Sequence, residues 1–143
     1  MSIEDIGDGR DDDKFPAYAG VMVKFGNKVL LCKRREDIPE STLPGYWSVP
    51  AGYVEPHEDI KECASREFSE ETQVNLDFKR IKFLAAYPAA DGRGVFYDYL
   101  FESDIELVPT LDEEHSEWGY FGIDEIPNPI TDEMRNDVHL ALT

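Results

Sequence analysis

Basic residues are scarce in this chain: 14 Lys and Arg stand against 31 Asp and Glu, for a net charge of −17 over 143 residues. That balance excludes groove binding to duplex nucleic acid and adhesion to an anionic membrane, because both rest on Lys and Arg contacts to phosphate. Long apolar runs are missing too, so no stretch reads as a transmembrane span or a signal peptide. Cysteine is limited to Cys32 and Cys63, at neither metal nor redox spacing. Both fall in apolar patterns, which predicts free core thiols in a reducing, cytoplasmic compartment. Hydrophobic content is a modest 41%. The length still suffices for one domain that buries roughly two-thirds of its unfolded surface.

Residues 1–16 are polar, acidic and without periodicity, and read as a mobile acidic tail. A calcium loop fails there, because Ile6 and Phe15 fall where oxygen ligands are needed. Residues 17–143 read as one folded domain. Tyr18–Phe25 and Lys28–Lys33 are strand-like and meet at Gly26-Asn27, a hairpin signal. Trp47–Val49 and Gly52–Val54 are short extended pieces around Pro50. Arg80–Tyr87 and Gly94–Phe101 read as paired strands around Asp91-Gly92, and Trp118–Ile123 as another strand. Thr131–Leu142 reads as a closing helix with Met134, Val138 and Ala141 on one face. Strands before, between and after two helices predict an α/β fold with a mixed sheet.

The central helix starts at Asp59, a predicted N-cap with Glu62 at capping-box spacing. Ile60, Cys63, Ala64 and Phe68 form its apolar stripe, and the acidic residues are expected to lie away from it, open to solvent or ligand. Within the helix, Arg66-Glu67-Phe68-Ser69-Glu70-Glu71 places three carboxylates at i, i+3 and i+4. They repel, and near the helix C-terminus the macrodipole disfavours each by about 0.3–1 kcal/mol. Arg66 pairs with Glu62 and Glu70 by spacing, but one guanidinium cannot neutralise three carboxylates. The simplest remaining counter-ion is a hard divalent metal such as Mg²⁺.

This stretch resembles the signature box of the Nudix hydrolases: Gly52, Glu58, Arg66-Glu67, Phe68, Glu70-Glu71 and Val74 stand at the family spacings. Residues 45–56 and 113–127 resemble family segments as well. One position departs: Gln73 stands where the family has Gly just past the helix end. Either Gln73 takes the left-handed conformation there, or Asn75 does. The resemblance implies an α/β/α sandwich over residues 17–143. It also implies hydrolysis of a pyrophosphate linkage in a nucleoside diphosphate derivative by water attack at phosphorus. A non-catalytic, nucleotide-sensing domain on the same fold is the alternative.

By position in the box, Glu67, Glu70, Glu71 and the Ala51 carbonyl would hold Mg²⁺ or Mn²⁺. Glu58 would support them and Arg66 would hold the carboxylates in place. Glu67 is one candidate base; Glu113, Glu114 and Glu117 lie in a suitable later loop, with Glu114 favoured. Arg34, in the densest basic run of the chain, together with Gly52 and Tyr87, are candidate substrate contacts. Pro88 stands roughly where some ADP-ribose-cleaving relatives carry a proline, and the element that marks NADH-cleaving members is missing. His57 and His115 read as plain surface residues. A homodimer is left open.

Overall fold

The computed structural model describes residues 16–37, 43–89 and 92–143. The expected tail, but for Pro16, lies outside them, as does Asp91 of the expected turn. Strands β1 (Ala17–Phe25), β2 (Lys28–Arg34), β3 (Trp47–Ser48) and β4 (Ala51–Tyr53) come first. Helix α1 (Ile60–Thr72) follows, then a 3₁₀ turn at Phe78–Arg80, β5 (Lys82–Pro88), β6 (Val95–Ser103), β7 (His115–Phe121) and helix α2 (Asp132–Leu142).

The seven strands form one mixed sheet, in the order β3-β2-β1-β6-β5, with β4 on β1 and β7 on β2. The central strands β1 and β6 run parallel from Ala17↔Val95 to Phe25↔Ser103, and the remaining pairs are antiparallel. Strand β1 is apolar on both faces, as a strand covered on both sides requires. Gly20 lets β4 approach it: a Cβ there would lie 2.7 Å from both the Pro50 oxygen and the Ala51 Cβ.

Two cores follow, one on each face. Helix α1 seals the first with Cys63, Ala64 and Phe68 against Val21, Val23, Leu30 and Phe101. Helix α2 seals the second with Met134, Val138 and Ala141 against Met22, Val29 and Leu31. The fold is thus an α/β/α sandwich, as expected. Burying a side chain such as Phe68 contributes about 1.5–3 kcal/mol.

Helix α1 starts as its sequence predicts. The Asp59 side chain accepts from the Lys61 N–H at 3.2 Å, and the Glu62 carboxylate in turn accepts from the Asp59 N–H at 3.2 Å. Glu62 is therefore committed to the cap, and the expected pairing with Arg66 gives way to a Glu58–Arg66 pair. At the other end Gln73 itself takes the left-handed conformation, φ 60° and ψ 26°. Asn75 instead accepts the Ser69 hydroxyl at 2.7 Å.

Candidate active site

Residues 51–58 and α1 build the acidic centre. Gly52 lies so close to α1 that a Cβ there would overlap the Glu67 carboxylate; glycine leaves that carboxylate its room. The neighbouring Ala51 N–H donates to Glu71 Oε1 at 3.2 Å. Arg66 holds the other side. Its Nε and Nη2 grip the Glu58 carboxylate at 2.7 and 2.9 Å. Its Nη1 reaches Glu67 at 3.0 Å and Glu70 at 3.3 Å, and Nη2 also reaches the Tyr53 carbonyl. This guanidinium lowers the Glu58 carboxyl below its ordinary value, against the opposing effect of partial burial.

The three glutamates are not alike. Glu70 is exposed and Glu67 half-buried, but Glu71 is buried, contrary to the expectation that the trio faces away from the core. The helix turns Glu71 toward Cys32 and the strand β7. Burial, then the neighbouring Glu67 and Asp112, pushes the Glu71 carboxyl up to about 10.

His115 corrects a second expectation. It is buried, with Nδ1 2.9 Å from Asp112 Oδ1 and Nε2 3.7 Å from Glu71 Oε1. Two local features bring it there. The Thr110 and Asp112 N–H groups bond the last carbonyls of α1, Thr72 at 2.8 Å and Glu71 at 3.1 Å, which fastens this loop to the helix end. A bulge then shifts the β2–β7 register between Lys33↔Glu117 and Arg34↔His115. Trp118 and Tyr120 face the α1 side. Strict alternation would put His115 on the opposite face; the extra residue returns it to the α1 side.

Glu71, Asp112 and His115 form a group whose ligand atoms lie within 4.8 Å of one another. Its oxygen-rich donor set suits a divalent cation, and so does the disfavoured charge on Glu71, which a cation would relieve. Cys32 and Cys63 are free and buried, as expected. Burial pushes both thiols up, Cys63 to about 12, and keeps them protonated and inert.

A cavity of about 500 Å³ is lined in part by Ala51 and Gly52. Tyr18, Tyr46, Trp47, Tyr53, Tyr87 and Phe96 supply its aromatic surface, and Arg34, Glu114 and Glu133 its charges. Tyr87 and Phe96 stack with ring centroids 5.4 Å apart. Arg34, Gly52, Tyr87 and Glu114, named separately from the sequence, thus share one cavity. Lys33 and Arg35 turn elsewhere: Lys33 to Glu36 and Glu117, Arg35 to Asp37. Sequence reasoning missed Asp112, His115 and Glu133. An Asp three residues before a His beside a strand was a weak signal for the first two.

A model of the NUDIX domain matches residues 14–141. Among curated proteins, the chain is 32% identical over 112 residues to the NAD-capped RNA hydrolase NudC of Pseudomonas syringae pv. tomato, using 75% of this chain but only 36% of that one. It is 31% identical over 117 residues to the ADP-ribose pyrophosphatase of Methanocaldococcus jannaschii, covering 78% of this chain and 65% of the relative. Among solved structures, a MutT NUDIX hydrolase from Burkholderia pseudomallei superposes with a TM-score of 0.75 at 25% identity, covering 90% of this chain and 98% of its own. Box, fold and family match agree, and the chain belongs to the Nudix family.

Proposed function

We propose that this protein is a Mg²⁺- or Mn²⁺-dependent pyrophosphohydrolase acting on a nucleoside diphosphate linked to a second group, with ADP-ribose as the leading candidate. The observation that carries the reading is a shared pair of residues: Ala51 and Gly52 line the aromatic cavity and also lie against Glu71 and Glu67. A diphosphate lying across these two residues would have its base among the aromatic rings and its phosphates at the carboxylates.

Glu67, Glu70, Glu71 and the Ala51 carbonyl would hold the ion, with Glu58 and Arg66 keeping the carboxylates in place. A bound divalent ion neutralises charge on diphosphate oxygens and lowers the pKa of water. The protein's own groups do the rest. Aromatic faces stack on a nucleobase, typically for about 1–3 kcal/mol per base. Arg34 offers the cavity a cation for phosphate. Glu67, or Glu114 at the cavity edge, takes the proton of the attacking water while the second phosphate leaves. Pro88 also lines the cavity, in line with the proline of ADP-ribose-cleaving relatives. A cytoplasmic location fits such a substrate; among the described residues no helix is long and apolar enough to cross a membrane.

A panel of ADP-ribose, nucleotide sugars, dinucleoside polyphosphates, nucleoside triphosphates and NAD-capped RNA tests the proposal. Wild-type protein with Mg²⁺ should cleave ADP-ribose to AMP and ribose 5-phosphate. No release from any member with Mg²⁺ or Mn²⁺ would refute it for these substrates.

A further inference from the structure

The α2 face of the sheet holds a second pair of carboxylates that the reaction above does not use. Asp98 stands on β6 between Phe96 and Leu100, and Asp137 on α2 between Met134 and Val138. They are 0% and 1% exposed. Both Asp98 oxygens and Asp137 Oδ2 lack any ordinary donor partner within reach. The two carboxyl groups hydrogen-bond each other, which requires a proton on one of them, and Asp137 also accepts the Tyr87 hydroxyl. Burial pushes Asp98 well above the ordinary carboxylate range. It raises Asp137 too, against the bonds from Asp98 and Tyr87 that act to lower it, so the pair holds one proton between its two carboxyl groups. Glu133, one turn earlier on α2, is the other charged group acting on Tyr87 and Asp137.

Such a pair is costly as mere filling, since apolar side chains of similar volume usually serve stability as well or better. Its position suggests another role. Tyr87 and its stacking partner Phe96 line the cavity from β5 and β6, and Glu133 and Met134 line it from α2. The chain from Asp98 through Asp137 to the Tyr87 hydroxyl therefore joins the three elements that form this wall.

We propose that Asp98 and Asp137 are positioning residues for the ligand cavity: their shared-proton bond, passed on to the Tyr87 hydroxyl, locks the Tyr87–Phe96 pair as the flat wall against which the nucleobase stacks. The hydroxyl is used inward, so the ligand meets the ring and not the oxygen. The identity of the ligand rests on the function proposed above; the network itself does not.

Two readouts separate these. Infrared difference spectra of wild type against Asp98→Asn at neutral pH should show a protonated-carboxyl band present only in the wild type; identical spectra would overturn the shared proton. Steady-state kinetics on ADP-ribose with Mg²⁺ form the second. A lost bond to a charged acceptor is worth about tenfold or somewhat more, so Asp98→Ala, Asp137→Ala and Tyr87→Phe should raise KM about tenfold with kcat nearly unchanged. Asp98→Asn keeps a neutral donor and should restore the wild-type KM. Unchanged KM in the three variants, or an Asp98→Asn enzyme as impaired as Asp98→Ala, would overturn the positioning role. A wild type that cleaves no ADP-ribose would count against the substrate, while the infrared band still decides the proton.

Discussion

Arg66 and Glu58 form a two-point ion pair, Nε to Oε2 at 2.7 Å and Nη2 to Oε1 at 2.9 Å, with the remaining Arg66 nitrogen turned to Glu67 and Glu70. One planar fork thereby sets the attitude of three carboxylates. A lysine offers a point charge and cannot reproduce the fork. Arg66→Lys should lower Mn²⁺ affinity and activity by about 10–100-fold, the usual cost of losing a group that orients metal ligands. Calorimetric Mn²⁺ titration measures it; wild-type affinity in the variant would show that the fork is dispensable.

The buried His115 is expected to act on the same centre through Glu71. His115→Ala and Asp112→Asn should each weaken Mn²⁺ binding by about 10–100-fold while leaving the sandwich folded. His57→Ala, at an exposed site, serves as the control and should change nothing. Full Mn²⁺ affinity in both variants would separate the histidine from the proposed metal site.

Gln73 carries the family's missing glycine as a backbone cost. With φ at 60°, a side chain with Cβ is disfavoured by roughly 1–2 kcal/mol. Gln73→Gly also loosens the unfolded chain, so the net gain should be about 1 kcal/mol, or about 3 °C in Tm. Asn75→Gly, which has no left-handed strain to relieve, should give no such gain. Calorimetric melts of the two variants check the difference.

Much of this was legible in the sequence because the signals are local. The N-cap of α1, its Phe68 stripe, the β1–β2 hairpin and the box spacing each rest on residues close together in sequence. The failures are non-local. Nothing in residues 17–25 or 95–103 announces that β1 and β6 run parallel side by side. Glu71 looks like its exposed neighbour Glu70 until β7 packs beside it. His115 was hidden by a bulge, which reverses the alternation from which its facing would be read. Asp98 sat among aromatic residues with no spacing to Asp137 to betray the pair.

The buried aspartates also set a pH dependence. Asp98 and Asp137 are both raised in the folded protein above the unfolded value near 3.9. The folded state therefore holds more protons than the unfolded one above that pH. Their stabilising contribution is complete below about pH 4 and is lost as pH climbs through the folded value. Glu71, pushed up to about 10, acts in the same direction. Urea unfolding across the pH range should show wild-type stability falling above about pH 4. Asp98→Asn should show a shallower fall, since the Asp98 share is gone while those of Asp137 and Glu71 remain. Equal slopes would mean that Asp98 takes no part in holding a proton.

The most direct test of the proposed metal-binding carboxylates is the Mg²⁺-dependent hydrolysis rate of ADP-ribose by wild type and Glu71→Gln, side by side. The amide keeps the shape and can keep the Ala51 bond, but it cannot take up the negative charge that a bound cation would favour on the carboxyl. The rate should fall by more than about 100-fold, beyond the loss of a merely supporting group. A Glu71→Gln enzyme that keeps the wild-type rate would contradict the role given to this centre.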